Sequence, residues 1–195
     1  MKRIFLAAAF LLAAGAPAFA HLNPAEHGSF PAGFSHPMFG ADHVLVMVAV
    51  GLWAWQNGGK AIWIIPTAFV GTMLFGFALA LAGVPVPFVE PAILASVVAF
   101  GLLVAVAVKL PAVPAAAIVG AFALFHGHAH GGEIGAAGEL PYAAGFALAT
   151  AILHGAGIGL GFGLTRLFGR DGRAAAVARV LGGATAAGGL YLIAG

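Results

Sequence analysis

The sequence contains no cysteine. That absence excludes disulfides and thiolate metal sites, and it makes soft ions such as Cu(I) and Cd²⁺ poor fits, with Met38, Met47 and Met73 the remaining sulfur donors of interest. Charge is nearly as scarce: eight Lys or Arg and six Asp or Glu, 7% of 195 residues, against roughly a quarter in a soluble domain. Too little polar surface remains to cover a globule in water, which rules out an ordinary soluble enzyme. The shortage of cations rules out a nucleic-acid binder. No nucleotide-binding loop is present, so transport would not be powered by an ATPase of this chain. Serine is confined to Ser29, Ser35 and Ser96.

What the chain does have is apolar length: 62% hydrophobic residues, 30 glycines and a mean hydropathy of +1.06. Met1-Lys2-Arg3, the apolar run Ile4–Ala14 and the small residues of Ala18-Phe19-Ala20 have the three parts of a secretory signal peptide, with cleavage expected after Ala20. The apolar run is too short to cross ~30 Å of hydrocarbon at ~1.5 Å per residue. Cleavage would remove Lys2 and Arg3 and no acid. The side-chain balance would then be zero, and the pI of 9.4 would be a property of the leader.

Residues 21–195 read as one all-α membrane domain, a six-transmembrane-helix bundle. Its spans are expected near Ala41–Gln56, Ala61–Gly83, Glu90–Val108, Ala112–His126, Pro141–Phe168 and Ala174–Ala194. The first and fourth are short and must recruit flanking residues. Turns are expected at Asn57-Gly58-Gly59, Pro85-Val86-Pro87, Pro111 with Pro114, and Gly131-Gly132. Lys60, Lys109, Arg166, Arg170, Arg173 and Arg179 occupy alternate connections on one side, and the opposite side has no cation. The positive-inside rule makes the first side cytoplasmic and both termini periplasmic, in a multi-pass protein of the bacterial inner membrane. A cleaved leader would export the same end. Most of the imidazoles and carboxylates then gather at the exported mouth. Spans one and four run oppositely with His and acid groups at that end, which permits an inverted three-plus-three repeat, although no internal identity is convincing.

Three constellations could do chemistry. In His36-Pro37-Met38-Phe39-Gly40-Ala41-Asp42-His43, Pro37 suits a first helical turn and His36 its cap. On one helix His36, His43 and Met47 share a face while Asp42 points elsewhere, so the helix must be irregular at Gly40 or Asp42 must serve another helix. An ionisable residue in a span costs ~2.5–3.5 kcal/mol and is a functional candidate, though capping and helix gluing would use the same pair. In His126-Gly127-His128-Ala129-His130-Gly131-Gly132-Glu133, positions 126, 130 and 133 form one stripe and His128 faces away. Gly131 and Gly132 should break that helix and let Glu133 fold back over the mouth. Imidazole with carboxylate suits Ni²⁺, Co²⁺, Zn²⁺ or Cu²⁺, and a loosely scavenging His-rich loop would have the same composition. The third constellation is Thr150 with His154, one turn apart and about 20 Å along the helix from Pro141. His154 is either a deeper transit ligand or a core histidine bonded to a Thr or a carbonyl. The glycines from Gly155 to Gly163 should allow close helix approach. Glu90 opens span three as a dipole-stabilised carboxylate or a further anionic ligand. His21, exposed by cleavage, would offer an amine and an imidazole to a metal.

His36-Pro37-x-x-Gly40-x-Asp42-His43-x-x-x-Met47, Phe125-His126-Gly127-His128-Ala129-His130-Gly131-x-Glu133 and Pro141-Tyr142-x-x-Gly145-Phe146-x-x-Ala149-Thr150-x-x-x-His154 together resemble the HupE/UreJ family, membrane accessory proteins of hydrogenase and urease. The resemblance implies a nickel permease, with cobalt the alternative, and functional positions at His36, Asp42, His43, Glu90, His130 and Glu133. It also implies Phe69, which no pattern in the sequence singles out. The first motif is similar as well to the H-x4-D-H element of a separate nickel/cobalt transporter family, with five residues here between His36 and Asp42.

The expectation is therefore a permease and not an enzyme, moving Ni²⁺ or Co²⁺ from periplasm to cytoplasm for nickel-enzyme maturation. His36, Asp42, His43, His130 and Glu133 form the entry site, His126 and Glu90 stand behind them, and His154 with Thr150 makes a deeper step. Two charges moving inward gain ~4.6 kcal/mol per 100 mV, so uniport is sufficient. The rival is an intramembrane Zn²⁺ hydrolase using the same cluster, for which only Ser35 lies beside a candidate ligand. No prosthetic group is expected. The partners are the metal ion and the lipid bilayer, with self-association and a cytoplasmic nickel chaperone left open.

Overall fold

The computed structural model describes residues 29–134, 138–169 and 172–195. The expected leader, Glu26, His27, His21, Arg170 and Asp171 lie outside the described residues, as does the side chain of Glu133. Seven helices and no strand are present among the described residues: α1 (Phe30–Phe39), α2 (Ala41–Asn57), α3 (Ala61–Leu81), α4 (Val89–Ala105), α5 (Ala112–Glu133), α6 (Glu139–Phe168) and α7 (Arg173–Ala194). Of these, α3, α5, α6 and α7 are long and apolar enough to cross a membrane, and α1 with α2 makes a fifth if the bent pair is one span. Helix α4, at 17 residues, is a shorter apolar helix. Large apolar side chains such as Trp63, Phe75, Val113 and Ile193 face outward, as a lipid-facing surface requires.

Two expectations about helix ends are corrected. His36 is not a cap. Ser29 caps α1 by accepting the Ala32 N–H at 3.3 Å, and Pro31 provides the first-turn proline, so His36 and Pro37 fall in the helix's last turn. The irregularity expected at Gly40 is present: its ψ of 118° is extended, and α1 meets α2 at 79°. The Gly40 N–H closes α1 on the His36 carbonyl at 3.0 Å, and its own carbonyl accepts from Val44 at 2.9 Å to open α2.

The second correction is at Gly131-Gly132, where α5 continues to Glu133 without a break. A glycine costs a helix about 1 kcal/mol, less than leaving backbone groups unbonded in apolar surroundings. Gly131 is also where α5 presses on α3, since a side chain there would collide with Ala80 and the Phe77 carbonyl.

Helix α3 packs on α5, α4 on α7, and α6 on both α1 and α2. Contacts climb together along α2 and α6 (Val48 with Gly157, Trp55 with Gly161) and along α3 and α5 (Thr72 with Gly120, Ala80 with Gly131), so each pair is parallel. Helices α4 and α7 are antiparallel, with Val98 against Gly189 and Ala105 against Gly182. Of the glycines from Gly155 to Gly163, Gly157 and Gly161 make the expected close approaches, while Gly155, Gly159 and Gly163 face open space.

These crossings repeat. Gly76 meets the Leu124 carbonyl as Gly157 meets that of Val48, and Gly127 meets the Met73 carbonyl as Gly51 meets that of His154. Val48 is as far along the chain from Leu124 as Gly51 is from Gly127. Met73 is as far from His154 as Gly76 is from Gly157 and Gly101 from Gly182. Exchanging α2–α4 with α5–α7 therefore carries the α3/α5 crossing onto α6/α2. It returns the α4/α7 crossing, Gly101 on Ala186 and Gly182 on Ala105, to itself. The halves are inverted copies, aligned through the small residues at which their helices cross.

Candidate metal centre

Three elements bring His36, His43 and His130 together. The bend at Gly40 folds the end of α1 back over the first turn of α2, which presents His43, and the unbroken α5 delivers His130 from its last turn. One ring nitrogen from each lies within 4.8 Å of the others. Ring centroids are 5.4 Å apart for His36–His43 and 5.0 Å for both His36–His130 and His43–His130. Ligand nitrogens on one ion stand about 3–3.5 Å apart, given metal–nitrogen bonds of ~2.1 Å, so modest ring rotations would close the triangle. His43 and His130 are buried and His36 is half-buried.

Neighbouring groups orient these rings. Asp42 Oδ1 lies 3.1 Å from His43 Nδ1, at ion-pair distance. His130 stacks on Phe146 at 4.8 Å and 10°, and the Tyr142 hydroxyl stands 3.5 Å from its Nδ1. His130 Nε2 and His43 Nε2 are buried without a hydrogen-bond partner. A cavity of about 200 Å³ opens beside them, lined also by Asp42, Glu90 and Ile93. Glu90, in the first turn of α4, is exposed at this cavity. Glu133 belongs to the helix that carries His130, so it continues α5 rather than following the fold-back expected after a break.

A second tier lies beyond the triangle. The stripe on α5 holds: His126 is fully buried one turn before His130, and its ring is 5.2 Å from that of His43. His128 faces away as expected, with Nε2 2.8 Å from the Val84 carbonyl. Phe69, which the sequence pattern did not single out, touches His126 at 5.6 Å and His154 at 5.0 Å. The bond to Thr150 that the core-histidine alternative would use is not formed. The Thr150 hydroxyl donates to Met73 Sδ at 3.7 Å, and His154, 1% exposed, has both ring nitrogens unpartnered. Met47 is fully buried in the apolar core.

Sequence reasoning missed Ser96 and Tyr142. Ser96 donates to the Ile93 carbonyl at 2.6 Å, so its oxygen can only accept from His126 Nε2 at 3.0 Å. His126 Nδ1 is then the nitrogen with the lone pair, and it too is buried without a partner. A buried imidazole with no partner is costly, and here the orphaned nitrogens run in a series from the cavity into the bundle. Neutral imidazole with nearby carboxylate is a donor set for borderline divalent metal ions.

The family described as "HupE / UreJ protein" matches residues 8–192. The curated "Protein HupE" of Rhizobium leguminosarum bv. viciae is 48% identical over 187 residues, covering 95% of each chain. No solved structure matches. The three motifs, the all-helical bundle and these matches agree, and the chain belongs to the HupE/UreJ family.

Proposed function

We propose that the protein is an inner-membrane permease that takes up a divalent transition-metal ion, Ni²⁺ foremost and Co²⁺ as the alternative, from periplasm to cytoplasm. In this reading a leader of residues 1–20 is removed and six spans remain. Bent α1–α2 is the first, and α4, about 26 Å long at 1.5 Å per residue, spans by recruiting its flanks or thinning the bilayer. Lys60, Lys109, Arg166, Arg170, Arg173 and Arg179 mark the cytoplasmic side, which puts the histidine triangle at the exported mouth.

The observation that carries the proposal is the convergence of His36, His43 and His130 from three helices beside an open cavity, with His43 Nε2 and His130 Nε2 buried and without a hydrogen-bond partner. These imidazoles accept the ion, and Asp42, Glu90 and Glu133 supply the anionic charge that draws it from water. A family of hydrogenase and urease accessory proteins favours nickel as cargo. The inward potential drives entry without chemical coupling. A serine or similar oxyanion partner would help a Zn²⁺ hydrolase, and the serine beside a candidate ligand, Ser35, donates its hydroxyl to the Ala32 carbonyl at 3.2 Å.

The test is Ni²⁺ uptake into liposomes carrying the purified protein, under an inside-negative potential, with Co²⁺, Zn²⁺ and Mg²⁺ as competitors. Potential-dependent uptake is expected, reduced to background in His43→Ala and Asp42→Ala while both variants remain folded. Wild-type protein that holds one metal tightly and transports none would overturn the reading in favour of the hydrolase.

A further inference from the structure

The geometry points to a second metal-accepting site at the centre of the bundle, formed by His126 Nδ1 and the His154 imidazole, with the Phe69 ring as the barrier between them. The inference rests on the permease reading and extends it inward from the mouth.

Two independent observations meet on this layer. The first is the set of unpartnered nitrogens. His126 is fully buried, its Nε2–H held by Ser96, which leaves the Nδ1 lone pair without a partner; His154 has neither nitrogen bonded. Phe69 is fully buried and touches both rings. A structural histidine in this position would bond the hydroxyl one turn away. Thr150 is turned instead to Met73.

The second is the inverted repeat. Phe69 is as far along the chain from Thr150 as Met73 is from His154. Exchanging the halves therefore converts the Phe69–His154 contact into the Met73–Thr150 contact, and both occur. Four residues whose contacts map onto one another lie about the axis relating the halves, where α3 crosses α6. In transporters built from inverted repeats, that is where the substrate is held between entry and exit.

The donor chemistry names the ligand class. The unpartnered donors of this layer are the imidazole nitrogens of His126 and His154, and beside them stand only the neutral hydroxyls of Ser96 and Thr150, with no carboxylate. Mg²⁺ and Ca²⁺ require oxygen ligands, whereas Ni²⁺, Co²⁺ and Zn²⁺ accept nitrogen. With no carboxylate among these donors the ion is held briefly, as onward movement requires. Ser96 is a positioning residue that keeps the His126 lone pair on Nδ1.

The test separates mouth from centre in the full-length protein. Ni²⁺ binding by equilibrium dialysis and Ni²⁺ uptake into liposomes are measured for wild type, His43→Ala, His154→Ala, His154→Gln, Ser96→Ala and Ser96→Thr. His43→Ala should weaken binding and uptake together. His154→Ala and His154→Gln should keep mouth affinity within about threefold yet lose at least tenfold in maximal uptake rate, with the half-saturating concentration little changed. Ser96→Ala should show the same split to a smaller degree, and Ser96→Thr, which keeps the hydroxyl, should restore the rate. Should His154→Ala fail to fold, His154→Gln decides. Wild-type uptake rates in folded His154 variants would overturn the central site and leave the permease standing, whereas absence of uptake by wild type would overturn both.

Discussion

Helix α2 carries two kinds of polar residue at its two ends, and their hydrogen bonding is opposite. In its first turn His43 is buried, its Nδ1 facing only Asp42 of the same turn and its Nε2 without a partner. In its last turns Trp53 donates to the Val108 carbonyl at 2.7 Å and Gln56 to that of Val104 at 3.1 Å, and Asn57 accepts the Leu110 N–H at 2.9 Å while donating to the Trp53 carbonyl at 2.8 Å. Arg179 of α7 adds a bond to the Ala105 carbonyl at 2.8 Å. Carbonyls at the end of α4 and in the segment just after it, Val104, Ala105 and Val108, thus accept from side chains of neighbouring helices. One end of the bundle is tied together by side chains of neighbouring helices, while the other leaves His43 Nε2 and His130 Nε2 buried and unpartnered.

This contrast predicts that substitutions at the two ends will fail in different ways. The largest effect belongs to neither end but to the crossing that aligns them. Gly157→Leu would drive a side chain into the Val48 carbonyl and Leu52 N–H, and the expected outcome is loss of the folded, monodisperse protein in detergent. Next is His130→Ala. Its Nε2 bonds nothing, so uptake should fall at least tenfold while the melting temperature holds or rises; a clear drop in melting would mean that this ring is structural. Asn57→Ala should do the reverse, costing about 1–2 kcal/mol in reversible unfolding and leaving Ni²⁺ affinity at the mouth unchanged. Smallest is Arg179→Ala, an exposed bond whose removal should cost no more than about 0.5 kcal/mol and leave uptake at the wild-type rate. A variant at the tied end that alters metal affinity without altering stability would break the comparison.

Much of the fold could be read from apolar length. Helices α3, α6 and α7 lie within two residues of the stretches expected for them, because an apolar environment leaves the backbone no alternative to helix. Length alone could not reveal α1 as a separate helix. Its start depends on the Ser29 cap and Pro31, whereas Pro37 gave an equally plausible local signal that tertiary packing overrode. The same holds for Gly131, a breaker by local rules and a contact point once α3 is beside it.

Within the candidate site, the pairing of His126 with His130 was legible from helical periodicity. The grouping of His36, His43 and His130 was expected as well, and so was an irregularity at Gly40, but not the 79° turn between two separate helices through which the three rings meet. Ser96 is a lone serine in an apolar helix, and only the three-dimensional partner His126 gives it meaning. Likewise, the inverted repeat preserves crossing points rather than sequence, so it appears only when the contacts are laid side by side.

The break at Gly40 has a mechanical consequence. Beyond it α1 lies on α6, with Gly33 against the Tyr142 carbonyl and Gly145 against that of Phe30. His36 therefore travels with α6, His43 with α2 and His130 with α5, although His36 and His43 are only seven positions apart in the chain. The three imidazoles form a joint between three separately borne parts. An ion that draws them together must pull those parts into alignment, and any sliding of α6 past α2 must loosen its grip on the ion. Under the permease reading, affinity at the mouth and the posture of the bundle would then be a single equilibrium read at two places.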